Sequence, residues 1–198
     1  FAEMTMFSGA AIIIGKLGDK ILSGHAVALN IASVAFMMPL AIGLAGSTRV
    51  GNLIGEKRYV EAKYSSYVGV LLCFIGAIFN MTVLLIFREN FASIYSKDID
   101  VVNVAISLLL YASIFQIPDG IQMGSLGALR GYKDTFAPMV FLIISYWLFA
   151  IPFGYFLTNY GFYKPMGAEG MWISMILGLI VFSALIFTRL RFVSSRYI

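Results

Sequence analysis

Charge is scarce in this sequence. Only 12% of its 198 residues are Asp, Glu, Lys or Arg, against ~25% in a soluble domain. Hydrophobic residues make up 60%, and the mean hydropathy is +0.89. This balance excludes a water-soluble globular enzyme and implies a chain that crosses a bilayer several times. Cysteine is nearly absent. Cys73 stands alone in an apolar run, so it can form neither an internal disulfide nor a cysteine metal cluster, and it reads as a small buried hydrophobe. One histidine is present, His25, with no HExxH pair and no Ser–His–Asp grouping, so hydrolytic and zinc chemistry have no candidate residues. A net charge of +4 suggests a nucleic-acid partner, but there is no basic–aromatic tract, and the positive charges fall between oily segments. Residue 1 is Phe and the chain opens inside an apolar run, which reads as a fragment of a longer protein.

Six apolar runs can be drawn, at residues 1–15, 24–47, 63–87, 101–129, 135–158 and 167–190. As helices, the last five span roughly 36–44 Å, enough to cross a bilayer with tilt, and the first spans about 22 Å. The short connectors hold the charges. Those after even-numbered runs, with the C-terminal tail, carry nine Lys/Arg and three acids; those after odd-numbered runs carry five of each. Lys and Arg concentrate on the cytoplasmic side of membrane proteins, so the even connectors and the C-terminus are expected in the cytoplasm.

Apart from Glu169, counted with the connector at the start of the last run, two carboxylates remain inside the runs, Glu3 and Asp119. A carboxylate near mid-membrane costs about 2.5–3.5 kcal/mol on insertion scales, so it reads as functional by default. Asp119 follows Pro118, whose missing N–H is expected to kink or open the helix there. At ~100° per residue, Phe115, Gln116, Asp119, Gln122, Met123 and Leu126 form one stripe that ends at Arg130. Of these, Phe115, Gln116, Gln122 and Met123 are expected to line a cavity beside Asp119. Gly120, Gly124, Gly127, Ala128 and Gly131 form a second, smooth stripe suited to close approach of a neighbouring helix. Glu3 reads either as a mid-membrane functional acid or as the solvated end of a clipped helix. His25, at the start of the second run, reads as a helix-end or interfacial residue, with a proton relay as the alternative. Kinks are expected at Pro39, Pro138 and Pro152.

Three blocks carry a family resemblance. LRGYKDT (Leu129–Thr135), following the Pro118–Asp119 pair, is similar to a motif of the multidrug and toxic compound extrusion (MATE) family, NorM-type branch. FAEMTMF (Phe1–Phe7) resembles the start of that family's seventh helix, and Gly24–Glu56 resembles its eighth helix and the loop after it. The likeness covers the whole chain, in order. It implies an all-α polytopic membrane protein: the six-transmembrane-helix, C-terminal lobe of a MATE-type transporter, occupying residues 1–198, with the N-terminal lobe absent. It also implies a cation-coordinating carboxylate at Glu3 and a coupling-ion residue at Asp119. These two would ligate Na⁺ if the transporter is sodium-coupled, or take up H⁺ otherwise. The branch places a tyrosine one turn before that aspartate, where this chain has Phe115, so one hydroxyl ligand is lost.

The expected function is secondary active multidrug efflux by cation/drug antiport in the cell inner membrane, with no enzymatic activity and no cofactor beyond the coupling ion. Its expected partners are bilayer lipid, amphipathic and often cationic small molecules, and the missing lobe, but no nucleic acid. One alternative is a lipid-linked oligosaccharide flippase of the same superfamily, against which stands the lack of any Lys or Arg within the six runs away from their ends, where Lys63 and Arg189 lie. The other is a non-transporting structural membrane subunit.

Overall fold

The computed structural model describes the backbone of residues 2–197 and the side chains of residues 4–197. Among these residues the protein is all-helical, with no strand. The helices are α1 (Ala2–Gly15), α2 (Asp19–Gly55), α3 (Tyr59–Tyr95) and α4 (Ile99–Gly131). A fifth rod follows, Phe136–Asn159, made of α5 (Phe136–Leu142), a π-helical stretch (Ile143–Ala150) and α6 (Ile151–Asn159). The last helix is α7 (Gly167–Arg196). Five of these rods are long and apolar enough to cross a membrane, and α1 is a shorter apolar helix.

Several helices overrun their apolar runs. α2 and α3 each hold 37 residues, because backbone hydrogen bonding continues into the polar ends until a stop signal intervenes. α2 and α4 stop in the same way. Lys57 and Lys133 both adopt φ 61°, the left-handed region, at a cost of about 1 kcal/mol for a residue with a Cβ. In the first case the Arg58 N–H donates to Leu53 O (2.9 Å) and the Lys57 N–H to Ile54 O (3.1 Å). In the second, the Asp134 N–H donates to Leu129 O (2.9 Å) and the Lys133 N–H to Arg130 O (3.0 Å). Both are Schellman ends, which satisfy carbonyls the helix would otherwise leave open.

The prolines are absorbed rather than expressed as breaks. Pro39 lies inside α2 and cannot donate to the carbonyl four residues back, Ala35 O. The amide of Asn80 on α3 takes that place, its Nδ2 donating to Ala35 O at 2.7 Å. The opening expected at Pro118 does not occur: α4 is continuous from Ile99 to Gly131, clasped by α2, α3 and α7. Pro138 sits in the first turn of α5, where N–H groups have no helical acceptor in any case. The π-helical stretch runs up to Pro152, and its wider turn relaxes the clash between the proline ring and the preceding turn.

α4 is the central element, with α2 and α3 packed along it and α7 on a further side; α7 in turn carries the π stretch and α6. The glycine stripe explains the close approach, and it serves two helices rather than one. A Cβ at Gly120 would lie 2.7 Å from Cys73 O, and one at Gly124 would lie 2.6 Å from Val70 Cα, both on α3. A Cβ at Gly127 would lie 2.2 Å from Gly43 O, and one at Gly131 would lie 2.7 Å from Val50 Cβ, both on α2. The outer face of α3 presents Leu71, Leu72, Ile75 and Phe79, the kind of surface a bilayer covers.

Candidate functional site

Asp119 lies in the middle of the central helix and is 2% exposed. Three residues before it on the same face is Gln116, 1% exposed. Both open on a cavity of about 390 Å³ between four helices. α1 contributes Met4, Phe7 and Ser8; α2 contributes Leu29, Ala32, Ser33 and Phe36; α4 adds Phe115; and α7 adds Trp172. Met4, Ser8 and Ser33 are exposed, so the cavity is reached between α1 and α2.

The polar character of this cavity is concentrated on α4. The Ser8 hydroxyl donates to Met4 O (3.1 Å) and the Ser33 hydroxyl to Leu29 O (2.8 Å), so both are engaged within their own helices. Gln116 Oε1 has no hydrogen-bond partner among the described residues. A buried acceptor left open costs about 1–3 kcal/mol, so it is a position at which a bound species gains. The walls are aromatic. Phe115 meets Phe7 at 6.2 Å between ring centroids and Trp172 at 6.4 Å, edge to face in the second case.

Trp172 was not singled out by the sequence, and its partner is the lone histidine. The Trp172 indole N–H donates to His25 Nδ1 at 3.1 Å. That bond requires a bare Nδ1, so the neutral imidazole carries its proton on Nε2. His25 lies well inside α2, which starts at Asp19, and is 1% exposed. It therefore holds the cavity wall and does not cap a helix end.

The other residues of the α4 stripe are placed differently. Gln122 is fully buried and accepts a hydrogen bond from the Tyr146 hydroxyl at 3.0 Å; it does not line the cavity. Met123 packs toward α2, where a Cβ at Gly43 would sit 2.8 Å from Met123 O. Phe115, Gln116 and Asp119 thus converge on the cavity while Gln122 and Met123 are packed beside it. Arg130 is exposed at the end of α4. The Glu3 side chain lies outside the described residues. Among the described residues no three His, Cys, Asp or Glu side chains are grouped to hold a metal ion.

A further carboxylate was counted from sequence only as a connector charge. Glu169, in the first turn of α7, accepts from the Ser107 hydroxyl (2.7 Å) and the Tyr111 hydroxyl (3.2 Å). Ser107, Tyr111, Phe115 and Asp119 recur every four residues, on one line of α4. Tyr111 stands about 12 Å from Asp119 along that line. The contact ties the first turn of α7 to the N-terminal half of α4, with Tyr111 one turn before the cavity-lining Phe115.

The sequence model of the MatE family matches residues 1–156. The multidrug resistance protein NorM of Vibrio vulnificus (strain YJ016) is 40% identical over 193 residues, which are 96% of this chain and 42% of that protein. The multidrug resistance protein PmpM of Pseudomonas aeruginosa is 34% identical over 200 residues, with the same 42% of its length covered. Among solved structures, the eukaryotic MATE transporter AtDTX14 superposes with a TM-score of 0.85 at 24% identity, covering 98% of this chain and 45% of that one. An outward-facing MATE family transporter of the MOP superfamily gives a TM-score of 0.86 at 17% identity, covering 98% and 42%. At these identities the solved structures speak for the fold. The chain spans about 42% of the length of these curated relatives.

Proposed function

The chain belongs to the MatE family, whose members are transporters and not enzymes, and from that premise we propose that it forms the C-terminal lobe of a secondary active multidrug exporter. A second lobe of similar size completes the transporter in this reading, in keeping with the 42% of its relatives' length that the chain spans. The observation that carries the proposal is Asp119, 2% exposed on the central helix and opening on a cavity. A carboxylate at membrane depth that opens on a cavity is a place where H⁺ or Na⁺ can bind and leave. Glu3, on α1, is the second carboxylate assigned to that ion. Ion-loaded and ion-free lobes differ in charge, so they favour different members of an outward- and inward-facing pair, and the gradient drives export.

The exported compounds are amphipathic small molecules, often cationic. The names of the NorM relatives, multidrug resistance proteins, support that class. The protein sits in the inner membrane. The connectors around Lys57 and Lys133, with the C-terminus, face the cytoplasm, as the Lys/Arg bias supports.

The test is ethidium accumulation in everted vesicles that hold the full-length protein, under an imposed proton gradient and, separately, a sodium gradient. Export driven by at least one gradient is expected. No gradient-dependent export under either would remove the antiporter reading.

A further inference from the structure

A second recess lies between the fifth rod and α7 and shares no residue with the cavity beside Asp119. It is an open groove of about 600 Å³. Phe141 forms one wall, and Ile180, Val181, Ala184 and Leu185 form the other. Thr188, Arg189 and Phe192 continue the same face of α7, because residues four apart lie in line on a helix. From Ile180 to Phe192 that face runs roughly 18 Å and changes from apolar to basic. Ala184 is exposed between Ile180 and Thr188, and its single methyl group leaves the recess there. The Thr188 hydroxyl donates to Ala184 O at 2.8 Å, so the apolar stretch holds no open donor. The mouth of the groove is basic. Arg189 Nε donates to Asp134 Oδ2 at 2.6 Å, just beyond the end of α4. That bond uses one of the five N–H groups of the guanidinium, and its two terminal amines have no acceptor among the described residues. The Phe192 ring has the Arg189 guanidinium 5.7 Å from its centroid and the Arg196 guanidinium 4.1 Å from it. One ring thus holds two guanidiniums within about 10 Å of each other.

We propose that this groove is a site for one anionic glycerophospholipid, its phosphodiester between Arg189 and Arg196 and one acyl chain laid along Ile180, Val181, Ala184 and Leu185 against Phe141. Charge complementarity selects the lipid. Two guanidiniums less the Asp134 carboxylate leave the mouth with a single net positive charge. That matches a headgroup of one net negative charge and disfavours a choline headgroup, whose own cation meets the arginines. Guanidiniums bind phosphate oxygens through paired, charge-assisted hydrogen bonds, and the Phe192 ring holds both of these at the mouth in advance. The chain half of the groove is suited to a bilayer and not to water, since Ile180 is 46% exposed and Phe192 49%. Through the Asp134 bond, the bound lipid joins the ends of the fifth rod, α7 and α4. The site is independent of the role given to Asp119.

The experiment is a titration of the purified, delipidated full-length protein with dioleoylphosphatidylglycerol, and separately with dioleoylphosphatidylcholine, read by native mass spectrometry. The first phosphatidylglycerol should bind about fivefold or more tighter than the first phosphatidylcholine, from the charge on its headgroup. Arg196 is exposed and pairs with no acid among the described residues, so Arg196→Gln leaves the fold intact. It should weaken phosphatidylglycerol binding by about fivefold or more. Arg191→Gln removes the same charge, but Arg191 lies over Phe187 at 5.8 Å and outside the groove, so it should leave that binding unchanged. Ala184→Trp fills the recess from an exposed position and should weaken it as Arg196→Gln does. Equal affinity for the two lipids overturns the proposal. Equal losses in Arg191→Gln and Arg196→Gln overturn it in favour of a diffuse attraction between basic surface and anionic lipid. An Ala184→Trp protein that binds like its parent shows that no chain enters the groove and overturns it too. Absence of any bound phosphatidylglycerol on the parent overturns it outright and leaves the groove to the second lobe.

Discussion

Asn80 stands in for a hydrogen bond that Pro39 deletes, and the pair forms a closed thermodynamic cycle. Asn80 is 8% exposed and donates to Ala35 O at 2.7 Å, the carbonyl that residue 39 would serve in an unbroken helix. Asn80→Leu keeps similar volume and removes the donor. Ala35 O, half-buried at membrane depth, is then left without a partner, at about 1–3 kcal/mol. Pro39→Ala alone restores the helical N–H, and a carbonyl has two lone pairs, so it can serve both donors. That single variant should be near neutral. In the Pro39→Ala background, Asn80→Leu no longer orphans the carbonyl, and its cost should fall by about 1–2 kcal/mol, the coupling between the two sites. For a chain of this size that corresponds to a difference of roughly 2–8 °C in apparent melting temperature. The assay is thermal unfolding of the four purified proteins in one detergent, followed by loss of monodisperse elution. If Asn80→Leu lowers the melting temperature equally in both backgrounds, Asn80 does not substitute for the proline's missing donor.

The same comparison of melting temperatures tests the close approach of α2 and α4. Gly127→Ala places a Cβ 2.2 Å from backbone Gly43 O, so the helices must part, and a loss of about 1–3 kcal/mol is expected; Gly46→Ala, with nothing within 4 Å, should be neutral or slightly stabilising. Equal effects at the two glycines would contradict the packing. For topology, a cysteine at Lys57 in a cysteine-free full-length protein should resist an impermeant thiol reagent in intact cells, and labelling there would reverse the orientation.

Much of the site was legible because an α-helix repeats every 3.6 residues. Gln116 and Asp119 share a face by spacing alone, and so does the glycine stripe. That the stripe splits between α3 at Gly120 and Gly124 and α2 at Gly127 and Gly131 depends on how two helices cross a third, which no single helix records. Pro118 invited a break because the proline is visible in the sequence and the neighbours that hold α4 are not. The pairing of Trp172 with His25 escaped notice for a similar reason: the two lie 147 positions apart, and neither carries a local pattern that points to the other. A faint signal existed in α7, where Gly170, Ser174 and Gly178 mark a helix with a close neighbour, and Trp172 stands among them. Gln122 and Met123 belong to the stripe by angle, yet the cavity spans only the part of α4 that α1 and α2 leave uncovered.

The central claim is that Asp119 couples an ion to export. Asp119→Asn preserves size and removes the ionisable charge. In proteoliposomes of the full-length protein under an imposed proton or sodium gradient, the parent should export ethidium. The variant should remain monodisperse and membrane-inserted yet lose gradient-driven export. Export by Asp119→Asn at the parental rate, with the same ion dependence, would contradict the account.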